Sequence, residues 1–235
     1  MKLLAIETAT EACSVAVAVH GAVLARFEIA PRRHAELVLP WAEALLAEAG
    51  VRRAELDAVA VGRGPGAFTG VRLAISIAQG IALALDRPIV PVSTLAVLAM
   101  RAHALEALPG ASVLAAIDAR MGEVYAGCFL PDADGTMQAQ DVEQVASPDA
   151  LVLSPRLARV GVGTGFAAQE GALTRRLGTD LETVDATALP HAADLARLAI
   201  SALAHGGGVA PERVEPAYLR DKVALTSAEQ RAARG

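Results

Sequence analysis

Gly62-Arg-Gly-Pro-Gly-Ala-Phe-Thr-Gly70 is the stretch that organises this 235-residue chain, because it joins a short apolar strand to a long apolar helix. The pattern predicts the strand over residues 57–61 and the helix over residues 69–85, with Thr69 as its N-cap. A glycine-rich turn between a strand and a helix N-terminus is a natural anion site, since free N–H groups and the helix dipole both favour negative charge.

The residues after the last glycine do not fit a P-loop. That motif places Lys and then Ser or Thr after its final glycine, whereas Gly70 is followed by Val71 and Arg72. Two interpretations therefore stay open for the loop. It is either a nucleotide loop built on Gly64, Gly66 and Thr69, or a tight backbone path that lets other elements pack closely.

The helix that follows is apolar on almost every side, which is typical of a helix buried on more than one face. One row repeats small residues at four-residue spacing: Gly70, Ala74, Ala78 and Ala82. This row either packs inside the chain or forms the contact surface for another subunit. In the second case an earlier helix, predicted over residues 33–49, would add Leu37, Trp41 and Leu45 as anchors.

The remaining pattern predicts two lobes, residues 1–108 and 109–235, with a boundary at Leu108-Pro-Gly110. The first lobe opens with three antiparallel strands within residues 2–29, and Ser93 caps a helix that follows a strand at residues 89–92. The second lobe repeats this order weakly, with strands at 113–119, 123–130 and 159–163. Helices follow at 166–177 and 191–204, and a polar tail begins at Thr226.

The composition excludes several classes of function. With a net charge of −5 the chain lacks the basic stripe of a protein that grips nucleic acid alone. Cys13 and Cys128 lie in apolar surroundings and indicate buried thiols in a reducing compartment. The N-terminus opens directly into a strand rather than a signal peptide, and the apolar stretch 69–85 is short for a membrane span of about 20 residues. We expect a soluble, cytoplasmic protein without membrane contact.

No catalytic or metal-binding residue can be assigned from the sequence. No two of the five histidines are three to five residues apart, and no Gly-x-Ser-x-Gly elbow occurs. Glu7 ends the first strand, but the turn after it contains no glycine, so its backbone is poorly suited to close around phosphates.

Four strings carry a resemblance to a known family: Leu3-Leu-Ala-Ile-Glu-Thr8, Gly62 to Arg72, Val92-Ser-Thr-Leu95 and Ala116-Ile-Asp-Ala-Arg-Met-Gly-Glu-Val-Tyr125. Together they resemble the TsaB (YeaZ) family, a bacterial subunit required for the threonylcarbamoyladenosine (t6A) modification of tRNA. Pro216-Ala-Tyr-Leu-Arg220 matches more weakly. The resemblance implies an α/β, two-lobed actin-like (ASKHA, ribonuclease H-like) fold with mixed sheets flanked by helices.

The same resemblance implies a non-catalytic role. The family pairs with the catalytic subunit TsaD through the helices expected here at 33–49 and 69–85, and the ATPase TsaE joins the pair. TsaD transfers threonylcarbamoyl from threonylcarbamoyl-AMP to N6 of adenosine 37, so tRNA is reached only through the complex. The two metal-binding histidines of TsaD correspond to positions near Thr94 and Leu98, and neither side chain ligates a divalent metal as histidine does. The isolated subunit is expected to form a homodimer through the same helices.

Three further interpretations remain open at this stage. The chain binds no cofactor alone, although a nucleotide at the junction with the partner is compatible with the loop. An active metallopeptidase would need metal ligands that the sequence does not reveal. A small-molecule kinase of the actin type would use Glu7 and the loop at Gly64 to Gly66.

Overall fold

The computed structural model describes residues 1–105, 111–153 and 160–220, and these form two mixed β-sheets flanked by helices. The first sheet contains β1 (Lys2–Glu7), β2 (Ala12–Val19), β3 (Ala22–Ile29), β4 (Ala58–Gly62) and β5 (Ile89–Val92), in the order β3-β2-β1-β4-β5. The first three strands pair antiparallel, as predicted, and β4 and β5 add to β1 in parallel.

The second sheet contains β6 (Val113–Arg120), β7 (Glu123–Pro131), β8 (Met137–Ala139), β10 (Val160–Val162) and β11 (Thr183–Asp185), while β9 (Gln144–Ala146) pairs with β7. Its order, β8-β7-β6-β10-β11, repeats the order of the first sheet. Each sheet starts with an antiparallel hairpin and continues with two parallel strands. The resemblance between the two halves is thus a shared strand topology, and the predicted fold class is confirmed.

Five α-helices lie within the described ranges: α1 (His34–Glu48), α2 (Phe68–Leu85), α3 (Thr94–Ala99), α4 (Ala168–Leu177) and α5 (Ala192–Ala204). β1 shows how they are distributed, because its side chains alternate between two cores. Leu4 and Ile6 lie in the core beneath α1 and α2, whereas Leu3 and Ala5 lie in the core shared with α3 and α5. This alternation buries the central strand on both faces.

All six residues of α3 are buried, and the helix contacts strands of the second sheet while its core is shared with the first. Ser93 caps it as predicted, because the Ser93 hydroxyl accepts hydrogen bonds from the N–H groups of Leu95 (3.1 Å) and Ala96 (3.2 Å). The regular helix ends at Ala99 and continues as a 3-10 helix from Met100 to Leu105, rather than as one α-helix. α3 therefore joins the two lobes.

Several boundaries differ from the sequence predictions. α2 begins one residue earlier, with Ala67 at the N-cap position, so Thr69 lies inside the helix and makes no cap. The short strands β8, β9 and β11 were not predicted. The division into residues 1–108 and 109–235 stays a prediction. The two sheets lie on either side of it, yet α5 packs against the first sheet. Leu108-Pro-Gly110, Arg159 and the tail from Thr226 lie outside the described residues.

Candidate functional site

The glycine loop lies directly against the turn that follows β1. The N–H group of Ala67 donates a 2.7 Å hydrogen bond to the carbonyl oxygen of Ala9. A Cβ added at Gly66 would lie 2.3 Å from that same oxygen, and one added at Gly70 would lie 2.1 Å from the carbonyl oxygen of Thr8. The glycines are thus required because two backbone segments approach within contact distance here.

Glu7 is buried beneath this contact and is 1% exposed. Its carboxyl group accepts hydrogen bonds from the N–H group of Ala9 (2.8 Å) and from the hydroxyl of Thr94 (3.3 Å). The Thr94 hydroxyl in turn accepts a 3.2 Å hydrogen bond from the N–H group of Gly64. Desolvation raises the pKa of Glu7 to about 7, although its hydrogen bonds, the one from Ala9 foremost, lower it. The network ties β1, the loop and α3 together.

The three candidate nucleotide-loop residues therefore have different environments. Gly64 is buried and exchanges hydrogen bonds with Thr94, since its carbonyl oxygen also accepts from the Thr94 N–H group (2.9 Å). Gly66 abuts Ala9. Only Thr69 is exposed, and it lines the cleft between the lobes. Gly64 thus serves internal packing, whereas Gly66 packs on Ala9 and, like the start of α2, also lines the cavity.

The small-residue row of α2 packs inside the chain. Ala74, Ala78 and Ala82 are 0% exposed and belong to the core of the first sheet, and Gly70 is buried against Thr8. Leu45 of α1 is 1% exposed in the same core. The burial of these side chains favours the alternative of internal packing. Their assignment to a partner interface stays a prediction.

The side of α2 that faces away from this core is the part of the helix that another subunit can still contact. We call it the outer α2 face, and it consists of Leu73, Ser76, Ile77, Gly80, Leu83 and Ala84, which are exposed or half-buried. Leu83 is 60% exposed, and a Cβ added at Gly80 would meet nothing within 4 Å. Leu37 and Trp41 of α1 are half-buried and pack on the same side of the sheet. These two predicted interface residues remain partly accessible.

A cavity of about 1180 Å³ separates the two lobes. Its first wall is the turn after β1 and the start of α2, and its second wall is the end of β6 with Tyr125. Residues 216–220, here called the C-terminal strap, complete the lining. The N–H group of Ala217 donates to the carbonyl oxygen of Arg63 (2.8 Å), and Arg220 bonds both Ala119 (3.1 Å) and Glu123 (2.5 Å) in the second lobe.

Sequence reasoning missed the strap as part of a site. Its only signal was the weak family match at residues 216–220, because an irregular segment has no hydrophobic period to place it. Tyr218 accepts a 2.6 Å hydrogen bond from Arg72, which lies on α2. The strap therefore brings the end of the described chain back to the helix that follows the glycine loop.

Comparison with known proteins identifies the family. Residues 27–227 match the family model described as TsaD: tRNA N6-adenosine threonylcarbamoyltransferase. The chain is 43% identical to the Escherichia coli protein named tRNA threonylcarbamoyladenosine biosynthesis protein TsaB, over 95% of this chain and 96% of that protein. The chain belongs to the TsaB family. A Haemophilus influenzae protein of the same name is 37% identical over 95% of each chain.

Solved structures agree with this placement in the TsaB family. The structure titled YeaZ from Pseudomonas aeruginosa is 46% identical and superposes with a TM-score of 0.85, covering 93% of this chain and 99% of that one. The resemblance placed the histidine positions of the related catalytic subunit near Thr94 and Leu98. Here both residues are 0% exposed, and Thr94 is bonded to Glu7. Within the described residues, no group of three or more His, Cys, Asp or Glu side chains is arranged to hold a metal ion.

Proposed function

We propose that this chain is a non-catalytic subunit that supports a TsaD-type enzyme in forming t6A at position 37 of tRNA. Its relatives carry the name of that biosynthesis, and the chain itself fits the TsaD family model over residues 27–227. The two subunits would then have related folds, with the chemistry confined to the partner. TsaE joins the pair, tRNA is bound through the complex, and the assembly acts in the cytoplasm.

The outer α2 face is the observation that carries this proposal. None of its six residues is charged, and Leu83 exposes 60% of its surface in the chain alone. Uncharged surface with small residues at four-residue spacing (Ser76, Gly80 and Ala84) lets a second helix approach closely, so that side chains from both helices exclude water. The partner contact is thus on the side of α2 opposite the row that the sequence suggested.

α1 extends this surface. α1 packs on β2 and α2 packs on β4, so the two helices lie on the same face of the sheet on either side of β1. Leu37 and Trp41 are half-buried there, and Leu39 is 48% exposed. Aromatic and aliphatic anchors that are partly buried in the free subunit cost little side-chain entropy on binding. The same surface can pair with a second copy when the catalytic subunit is absent.

A membrane is the competing explanation for an apolar α2. The helix has 18 residues and is long and apolar enough to cross a bilayer by length and composition alone. Its inner row, however, forms part of the core of the first sheet, and its Gln79 side chain donates to the carbonyl oxygen of Pro211 (2.9 Å). Because α2 is packed and hydrogen-bonded inside the chain, a protein partner explains its apolar outer face better than a membrane does. The metallopeptidase and kinase alternatives gain no supporting observation in the described ranges.

The test is co-expression of the chain with its TsaD-type subunit. Leu83→Asp places a charge on the outer α2 face, where pairing would bury it without a counter-ion at a cost of several kcal/mol. We expect this variant to fold, to lose co-purification with the partner, and to fail in supporting t6A formation. Val142→Asp is the matched control, because Val142 is 85% exposed in the second lobe. Recovery of the Leu83→Asp complex at wild-type yield would refute the proposed interface. Sedimentation of the isolated chain is a separate test, of whether the same surface pairs two copies of this chain.

A further inference from the structure

The cavity between the lobes has a charge balance opposite to that of the chain. The whole sequence contains 21 basic and 26 acidic residues. The cavity is lined by four arginines (Arg32, Arg72, Arg120 and Arg220) but only two carboxylates (Glu11 and Asp118). A cleft whose lining carries mostly one sign of charge concentrates ligands of the opposite charge. The lining therefore favours an anion.

Among the residues that the structure describes, Arg72 has no acidic partner. Within the described part of the chain no carboxylate lies within 4.0 Å of it, whereas Arg120 pairs with Asp118 (2.8 Å) and Arg220 with Glu123 (2.5 Å). The Arg72 guanidinium is held instead by the carbonyl oxygen of Phe68 (3.1 Å) and by the Tyr218 hydroxyl. Among the described residues, these neutral partners leave the positive charge of Arg72 uncompensated and some of its N–H donors unused.

Two aromatic rings bracket that charge. The guanidinium carbon of Arg72 lies 3.3 Å from the centre of the Phe68 ring and 5.1 Å from that of Tyr218. Both rings remain largely open, since Phe68 is 64% exposed and Tyr218 is 60% exposed. Large aromatic side chains beside an unpaired arginine are the combination that binds single-stranded nucleic acid, because bases stack on the rings while phosphates meet the cation.

We propose that this arginine and aromatic rim, defined as Phe68, Arg72, Arg120 and Tyr218, contacts a single-stranded segment of RNA. The inference rests on the proposed function, since a chain of net charge −5 would hold RNA only together with a partner. It adds that this subunit touches the RNA directly. The strand lies along the open side of the cleft, with phosphates against Arg72 and Arg120 and bases against the two rings.

A free nucleotide fits these observations less well than a strand. The cavity of about 1180 Å³ exceeds the ~300–1,000 Å³ of ordinary small-molecule pockets. Within the glycine loop, the N–H groups of Gly64 and Ala67 are bonded to Thr94 and Ala9, so these two groups are not free to surround a polyphosphate. Phosphodiesters carry a single charge each and need neither such a cradle nor a bound metal.

The experiment titrates a fluorescent anticodon stem-loop RNA with the complex of the full chain and its TsaD-type subunit. We expect Arg72→Gln to weaken binding about tenfold and to reduce the slope of log K against log salt by about 0.7, the value for one phosphate contact on a single strand. Tyr218→Ala is expected to weaken binding at least fivefold, whereas Tyr218→Phe, which keeps the ring, loses less. Arg120→Gln repeats the charge test at a second side chain, which is 83% exposed.

Arg52→Gln is the matched control, because this arginine is 85% exposed and lies outside the cavity. Unchanged RNA affinity in both the Arg72→Gln and the Arg120→Gln variants, with the complex intact, would overturn this inference but leave the proposed function standing. Loss of the partner subunit in Arg72→Gln would also overturn it, since the rim would then bind protein. If AMP or ATP binding depended on Arg72 while RNA binding did not, the site would be one for a small-molecule nucleotide and not for an RNA strand. If the wild-type chain formed no complex, the proposed function itself would fail, and the inference with it.

Discussion

The hydroxyl group of Thr8 donates a 2.8 Å hydrogen bond to the carbonyl oxygen of Gly70, and the carbonyl oxygen of Thr8 lies 2.1 Å from where a Cβ on Gly70 would be. The first turn of α2 is thereby fixed to the end of β1. Since the outer α2 face lies on this same helix, this contact helps to position the proposed partner surface, together with the hydrogen bond from Ala67 to Ala9. Thr8 is 0% exposed, so water cannot replace the bond.

Gly70→Ala is expected to destabilise the chain severely. The added methyl group would lie 2.1 Å from the Thr8 carbonyl oxygen, which is backbone and cannot turn aside, so α2 must shift. We expect a loss of about 2–4 kcal/mol in the free energy of unfolding, measured by urea titration. Gly80→Ala is the matched control on the same helix. It adds a methyl group in open space and should stabilise the chain by about 0.5–1 kcal/mol. Equal effects from the two variants would contradict the contact.

The two cysteine thiols should be inert in the native protein. Cys13 is 0% exposed and Cys128 is 4% exposed, and burial raises the pKa of the Cys13 thiol from 9.0 to about 11. Only the thiolate reacts with disulfide reagents, so labelling by an aromatic disulfide at pH 8 should wait for unfolding. Both thiols should react within the mixing time in denaturant, which is the control. Rapid labelling of either cysteine in native buffer would show that the core opens locally.

The sequence predicted the elements better than their orientation. The alternation in β1 and the apolar run after Gly70 give the strand and the helix, because local periodicity decides them. Which side of α2 faces the sheet is a different question. The helix carries two rows of small residues, the inner row from Gly70 to Ala82 and the outer one of Ser76, Gly80 and Ala84. A long-range contact between Gly70 and Thr8 selects the inner row, and no local pattern contains that information.

A charge on the inner row should therefore unfold the chain instead of only releasing a partner. Ala78 is 0% exposed in the first core, so Ala78→Asp would bury a carboxylate among aliphatic side chains. We expect loss of cooperative thermal unfolding or a fall in Tm of more than about 10 °C. Ser76→Asp, two residues earlier and exposed, should keep the wild-type Tm while weakening the partner contact. Circular dichroism melts of the two isolated variants provide the comparison. A well-folded Ala78→Asp chain would show that the inner row is accessible to solvent and not buried in the core.

Glu7 should make stability fall as pH rises through the weakly acidic range. Burial raises the pKa of Glu7 from 4.5 to about 7, so the folded chain keeps a proton that the unfolded chain has already released between those values. Because the unfolded state binds fewer protons there, the free energy of unfolding decreases with pH, by up to roughly 3 kcal/mol from this group across the window. Glu7→Gln mimics the protonated carboxyl and removes this slope. Urea titrations of both proteins at pH 5, 6 and 7 measure it, with stability of the wild type falling relative to the variant. A constant difference between them at all three pH values would mean that Glu7 is already ionised in the folded chain at pH 5.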